Sequence, residues 1–320
     1  MSQTTYFKLQ DKNGNDSVLY RNQYLKSPQR NNSWRVGVNF TQPIGKKMHF
    51  RAAYTWNTQY ERDNRSTYEL SLLEHPGVFG ELPAGYEAGY VDSLSNRSHS
   101  RSNGHDLNVG FNYSDDSWMF NASVAVTPQR RTIDRKVGTL HGDTAMNIID
   151  YQPMLWVGWH KKEKMRINFS YDGRTRQPSL SDLMPLTDNS NPLYITRGNP
   201  DLKQMFIHNI RLNFQYPSKG ISANAGWQAE QNSVTHVMLY DVQTGGRETY
   251  PVNINGNWNT YGSANWWKRW GHFSLKLNSA GRYSNRVSMV NEDRNVQPEK
   301  STTRDTGLNC EVQAGYHPAW

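Results

Sequence analysis

The chain of 320 residues contains one cysteine, Cys310, which excludes an internal disulfide and any multi-cysteine metal site. It has no apolar run near the ~20 residues that a membrane-spanning helix needs. Its first residues, Met1-Ser2-Gln3-Thr4-Thr5, carry neither a basic segment nor an apolar one, so no signal peptide is expected there. No His-Glu-x-x-His, Gly-x-Ser-x-Gly or phosphate-binding glycine loop occurs, and the chain is expected not to be an enzyme. The ten histidines are dispersed, so no metal or other cofactor is expected. No recognition helix or RNA-binding signature accompanies the net charge of +8, and no nucleic-acid partner is expected. Hydrophobic residues make up only 35%, a value that alone would suit a disordered chain. The aromatic content opposes disorder: eleven Trp, eighteen Tyr and ten Phe reach 12%.

What apolar mass there is recurs at every second position. Trp34, Val36, Val38 and Phe40 alternate with Arg35, Gly37, Asn39 and Thr41. The same period runs through Met48–Trp56, Leu107–Tyr113, Met165–Tyr171, Ile210–Tyr216, Phe273–Leu277 and Leu308–Ala314. Successive side chains on a strand point to opposite faces, so each segment has one apolar and one strongly polar face. A long succession of such segments with no helix between them predicts an all-β antiparallel protein.

The connections are expected to alternate in length. Short ones fall at 42–47, 114–117, 160–164, 217–220 and 268–271; long polar ones fall at roughly 58–103, 129–146, 175–204, 238–251 and 286–303. Sorting of loop length by sheet end is the pattern of an outer-membrane barrel, with short periplasmic turns and long extracellular loops. Trp118, Trp159, Trp266, Trp267 and Trp270 lie at or near the short turns, as an aromatic girdle requires; core tryptophans would sit in mid-strand. The fold class expected is therefore an antiparallel transmembrane β-barrel segment of about 10–12 strands. Residues 1–320 form part of one barrel domain, with 1–32 a poorly defined N-terminal edge.

One loop carries a more specific pattern. Arg176-Gln177-Pro178-Ser179, then Leu183, Asn191-Pro192-Leu193 and Gly198-Asn199-Pro200-Asp201-Leu202 read as R-x-P-S-x-x-x-L, N-P-L and G-N-P-x-L. This resembles the barrel part of TonB-dependent outer-membrane receptors, in the variety called the outer membrane protein β-barrel family. The resemblance covers the chain from about residue 33 onward. It implies a barrel of about twenty-two strands with a plugged lumen, driven by an inner-membrane TonB system. About eleven strands are legible here, and no plug domain or TonB-box extension is recognisable. Tyr316-His317-Pro318-Ala319-Trp320 reads as the start of a short turn rather than a final strand. An internal or truncated piece is expected, with unpaired edges at its first and last strands.

The function expected is that of a fragment of a TonB-dependent receptor for nutrient uptake, in the outer membrane of a Gram-negative bacterium. The ligand stays open between glycan, metal chelate and peptide. Expected partners are outer-membrane lipid, the missing strands and plug of the full-length receptor, the TonB system and a surface lipoprotein. The alternative is a soluble secreted β-rich carbohydrate-binding module, which would bury the apolar faces that a barrel shows to lipid. Recognition residues are sought in the long loops. Tyr86 and Tyr90, with Tyr68 and Phe79, fit stacking on a sugar or a chelate, or packing on one another. Arg174, Arg176, Arg197 and Asn199 of the patterned loop fit ligand contact, or hydrogen bonds that hold the loop. Polar-face charges, among them Arg166, Arg211, Lys276 and Arg282 against Asp172, Glu230 and Glu311, fit a wet lumen. Cys310 falls on an apolar face.

Overall fold

A computed structural model describes residues 2–10, 16–73, 82–138, 140–161, 164–184, 187–188, 194–241, 246–291 and 296–318. The alternating segments are strands. In chain order they are β1 (Ser2–Gln10), β2 (Asp16–Lys26), β3 (Gln29–Ile44), β4 (Met48–Glu69), β5 (Asn96–Ser114) and β6 (Trp118–Val137). Then come β7 (Leu140–Lys161), β8 (Met165–Arg176), β9 (Thr187–Asp188), β10 (Tyr194–Arg197), β11 (Met205–Tyr216) and β12 (Ile221–Gln231). The last are β13 (Ser233–Tyr240), β14 (Arg247–Ile254), β15 (Asn257–Trp270), β16 (Phe273–Val290) and β17 (Glu299–Tyr316). A single helical turn, α1, spans Leu180–Leu183.

The chain divides into two compact units, and strands β3 to β7 contribute residues to both. Unit 1 comprises residues 1–35, 57–104 and 130–148; in it the hydrogen-bonded order is β1-β2-β4-β5-β6-β7. Unit 2 comprises 36–56, 105–129 and 149–320; there the order is β3-β4-β5-β6-β7-β8-β11-β12-β15-β16-β17. The long ladders of the wall, such as β8 with β11, β11 with β12 and β16 with β17, are antiparallel. The outer edge of β17 has no strand partner among the described residues.

Within unit 2 the short turns are neighbours at one end. The Ser114 N–H donates to Lys47 O (2.9 Å), His160 to Ser117 (2.9 Å) and Trp267 to Gly220 (2.8 Å). Gly220 has φ +65°, and a Cβ there would lie 1.8 Å from the Trp267 carbonyl oxygen, so only glycine fits. The β5–β6 turn is held by Asp115, whose carboxylate accepts from the N–H groups of Ser117 (2.9 Å) and Trp118 (2.7 Å) and from the Tyr113 hydroxyl (2.5 Å).

Ladder registers place alternate residues of unit 2 on two faces. One face carries Phe169, Leu212, Ala225 and Leu308, with Trp266, Leu277 and Val312 nearer the turns. These side chains are not covered: Leu308 is 78% exposed and Val312 69%. A soluble sandwich would bury this face, so the soluble-module alternative loses its basis. Near the turns the rings gather, with Trp118–Trp159 at 6.3 Å, Trp266–Trp270 at 5.8 Å and Phe273–Tyr316 at 5.2 Å. That is the girdle of amphipathic rings that marks the headgroup level. Trp267 departs from it. Its register partner is Lys276, on the polar face. Cys310 shares the apolar face and is exposed, so it faces lipid.

The expected long connection at 129–146 is instead strand: β6 runs to Val137 and β7 resumes at Leu140 around Gly138. Strands continue past the band in which their apolar alternation is visible, because cross-strand hydrogen bonds do not need an apolar face. For the same reason β4 extends to Glu69 and β5 starts at Asn96, inside the stretch expected as loop.

The connections at 177–204 and 232–256 of unit 2 build a second sheet of four strands in the order β13-β14-β10-β9. Here β13 and β14 pair antiparallel, and β10 joins β14 in parallel. Val237, Ile254, Leu183, Met184, Leu202 and Ile207 are buried in these segments and at the start of β11. The buried core of unit 2 thus lies in its loops, whereas its wall is one residue thick.

Candidate functional site

The second face of the unit 2 wall is polar from strand to strand. Arg166 and Asp172 of β8, Arg211 of β11, Glu230 of β12, Lys276 and Arg282 of β16, and Glu311 of β17 share it, as their alternation implied. Cross-strand bonds order the groups. Arg211 Nη2 lies 3.3 Å from Asp172 Oδ1, and Asn209 Nδ2 donates to Asp172 Oδ2 at 2.8 Å. Further along, Asn224 donates to Ser263 Oγ (2.6 Å) and Asn278 to Glu311 (2.9 Å). Paired amides and charges of both signs keep such a surface wettable without fixing one net charge upon it.

At the end away from the short turns, β12, β15, β16 and β17 enclose a concavity of about 810 Å³. Gln228, Glu230, Tyr261, Arg282 and Asp305 line it from the polar face, and Trp258 and Tyr283, which the register places on the apolar face, border it. The rings of Trp258 and Tyr283 are 5.3 Å apart. Arg282 lies against Gly307, where a Cβ would come within 3.1 Å of its Nε. The sequence hinted at Arg282 and Glu230; the rest depends on ladder register. The size and mixed polarity of the hollow suit a polar solute held by several hydrogen bonds.

The loop residues singled out in sequence have specific places. Arg174 and Arg176 sit on β8, opposite Ile207 and Met205 of β11. Arg197 ends β10; its Nε is 3.2 Å from Glu248, and its guanidinium stacks 4.6 Å above the Tyr250 ring. Asn199 donates from Nδ2 to Pro251 O (3.0 Å) and accepts from the Asp201 N–H (3.0 Å), while its own N–H reaches Asp182 O (2.5 Å). Gly198 lies so close to Met184 that a Cβ would be 1.8 Å from its carbonyl oxygen. Ser179 Oγ accepts from the Asp182 N–H (3.1 Å) at the start of α1. Pro178 is buried, and Gln177 donates to Asp150 (2.6 Å) and Gln204 (3.0 Å). The R-x-P-S and G-N-P-x-L pattern is thereby a set of clamps on the loop sheet. Asn191-Pro192-Leu193 lies outside the described residues.

In unit 1, Tyr86 and Tyr90 join Tyr24 and Tyr68. Tyr86 is 5.1 Å from Tyr24 and 5.0 Å from Tyr68; Tyr90 is 5.7 Å from Tyr68. The rings meet edge to face, so self-packing accounts for much of their surface. Lys26 Nζ donates to the Tyr86 hydroxyl (3.5 Å), which raises the Lys26 pKa. Tyr90 donates to Asp92 (3.1 Å), whose carboxyl is held below its usual range, chiefly by the hydrogen bond from Lys136 at 2.7 Å. Phe79 lies outside the described residues. Among the described residues no group of three or more His, Cys, Asp or Glu side chains converges to hold a metal ion.

Comparison with solved structures places the fold. The Serratia marcescens hemophore receptor HasR, in complex with its hemophore HasA and heme, matches over 95% of this chain and 51% of its own, at 13% identity and a TM-score of 0.50. The ferric yersiniabactin uptake receptor FyuA from Yersinia pestis matches over 93% and 49%, at 10% identity and a TM-score of 0.46. The FrpB iron transporter from Neisseria meningitidis matches over 99% and 56%, at 11% identity and a TM-score of 0.40. At 13% identity the likeness to HasR is one of fold alone. The chain spans about half the length of these structures. No curated protein matches it in sequence. The wall, its girdle and its exposed apolar face place it in the outer membrane of a Gram-negative bacterium. Residues 132–315, more than half of the chain, match the outer membrane protein beta-barrel family, and the chain belongs to that family.

Proposed function

We propose that this chain is wall, lumen lining and outer loops of a TonB-dependent receptor that carries a scarce nutrient across the outer membrane. The observation that carries the reading is the two-faced wall of unit 2, with apolar side chains exposed on one side and an ordered polar surface with its 810 Å³ hollow on the other. One face suits lipid and the other suits a polar solute in passage. The HasR fold, the nearest in TM-score of the three compared, belongs to a hemophore receptor, which supports uptake as the class of function. The chemistry on offer is binding and passage rather than bond making, and the cargo is a glycan, a metal chelate or a peptide. Tyr261 and Arg282 are the contacts we assign first, with Arg174 and Arg176 next. Tyr86 and Tyr90 present whatever ring edges their own packing leaves open. A plug, further strands, the TonB system and a surface lipoprotein complete the working assembly.

The test is uptake by cells that express the full-length gene, offered pools of labelled glycans, ferric chelates and peptides. One pool is expected to accumulate, and a protonophore to stop it. Accumulation that survives the protonophore would remove the TonB coupling. Recovery of the protein in the soluble fraction would remove the receptor reading altogether.

A further inference from the structure

The hollow in the polar face of unit 2 is ordered in cross-strand rows. Ladder register sets Gly226 of β12 opposite Tyr261 of β15, Tyr261 opposite Arg282 of β16, and Arg282 opposite Gly307 of β17. Glycine thus stands at both ends of this row. At Gly226 an added Cβ would meet Tyr261 Cζ first, ahead of the Cε1 and Oη bonded to it. Approach in the ring plane would reach the rim atoms first, so one face of the ring lies on the Gly226 backbone. Tyr261 stays 44% exposed, with its other face open. At Gly307 an added Cβ would lie 3.1 Å from Arg282 Nε and 3.2 Å from its Cγ, so that side chain lies along the wall in the same way. Tyr261 leans toward β12 and Arg282 toward β17, and each covers the space that its glycine partner leaves.

The next row toward the long loops is Gln228, Asn259, Ser284 and Asp305, about 7 Å along the strands. Every member carries an amide, a hydroxyl or a carboxylate. Asn259 and Arg282 have no hydrogen-bond or ion-pair partner among the described residues.

We propose that these two rows bind a neutral oligosaccharide, with one sugar ring flat on Tyr261 and its hydroxyls at the Gln228–Asp305 row. That the solute comes to this face rests on the uptake reading. A sugar ring has an apolar C–H face and a rim of hydroxyls, each of which donates and accepts. It calls for an open aromatic face below and mixed donors and acceptors beside it, and the two rows supply both. An anionic chelate calls for net positive charge, but Glu230 and Asp305 match Arg282 and Arg286 in the lining. A peptide is held by strand pairing or by pockets for its side chains. Here β12, β15 and β16 are paired on both sides, and no aliphatic side chain of the lining stands on the polar face.

The experiment titrates the full chain, in a non-glycosidic detergent, with oligosaccharide pools from glucan, mannan and xylan, with ferric citrate and with tetra-alanine. One oligosaccharide pool is expected to bind. Tyr261→Leu fills the same space without a ring face and should weaken that binding roughly tenfold, whereas Tyr261→Phe should hold it within about twofold. Asn259→Ala should weaken it roughly fivefold, and decides the matter if Tyr261→Leu fails to fold. Cys310→Ala, on the apolar face, should leave it unchanged. Binding should also survive a rise in salt from about 0.05 to about 0.5 M, which screens charge and not stacking. Failure of every oligosaccharide pool to bind would overturn the proposal, as would equal binding by the Leu and Phe variants or loss of binding in salt. Uptake is read separately, in cells that express the full-length gene. Tyr261-dependent sugar binding without uptake would remove the receptor reading and leave the sugar site. Uptake of a chelate or a peptide that Tyr261→Leu does not change would remove the sugar site and leave the receptor.

Discussion

At the scale of single residues, the most informative positions are loop residues whose side chains are held by other parts of the loop region. Asn199 makes three hydrogen bonds within the loop region, and Arg197 is paired and stacked. Asn199→Ala is therefore expected to cost about 1–3 kcal/mol of local stability, from lost hydrogen bonds and an unmet Pro251 carbonyl. Gly198→Ala drives a methyl into the Met184 carbonyl and is expected to cost at least as much. Limited proteolysis within 177–204 is the readout: both variants should be cut faster than the parent, and an unchanged rate would return Asn199 to the ligand contacts. At the opposite end, the hydroxyl of Tyr113 and two backbone N–H groups hold the Asp115 carboxyl far below its usual range. A depressed carboxyl stabilises the fold above the ordinary carboxylate pKa of about 3.9, and that stability is lost as pH falls through the lower folded value. Asp115→Asn should then be less stable than the parent at neutral pH, with the gap closing only in strong acid. A gap that is constant with pH in denaturant titrations would contradict this.

At the scale of elements, each wall strand has two environments that differ by one position. Leu308 and Asn309 are neighbours on β17, on the exposed apolar face and the polar face respectively. Leu308→Arg is expected to cost about 2–4 kcal/mol if it sits near the bilayer midplane, whereas Asn309→Arg should cost little. Unfolding of the reconstituted chain in guanidinium measures both, and equal costs would mean that the face is not in lipid. The loop sheet obeys the other rule, that of a packed core. Val237 is 1% exposed on β13, and Val237→Ala should loosen β13 and β14 by about 1–2 kcal/mol through lost burial and a residual cavity. Hydrogen exchange should show that loss in the loop sheet and not in the wall strands.

At the scale of the whole molecule, the low hydrophobic fraction and the exposed side chains have a common cause. A wall one residue thick needs an apolar group at every second position only, and lipid covers what it exposes. The chain is expected to stay with the membrane pellet through alkaline carbonate and to need detergent for release. Release by carbonate alone would be incompatible with a spanning wall. The outer edge of β17 has no strand partner among the described residues, and an unpaired edge is costly in lipid.

Sequence alone determined the two faces, the antiparallel class, the girdle tryptophans apart from Trp267, and the membership suggested by one loop pattern. All of these follow from period-two alternation or from short local runs, and strand geometry converts both directly into orientation. Tertiary structure decided what depends on which strand lies beside which. It turned 129–146 from loop into strand, because backbone pairing continues after the apolar pattern stops. It made clamps of Arg197 and Asn199, because Glu248, Tyr250 and Pro251 reach them from a hairpin some fifty residues on. It also set Arg282 on the same face as Asp305, since ladder register brings distant charges within reach of one solute and no spacing along the chain encodes it.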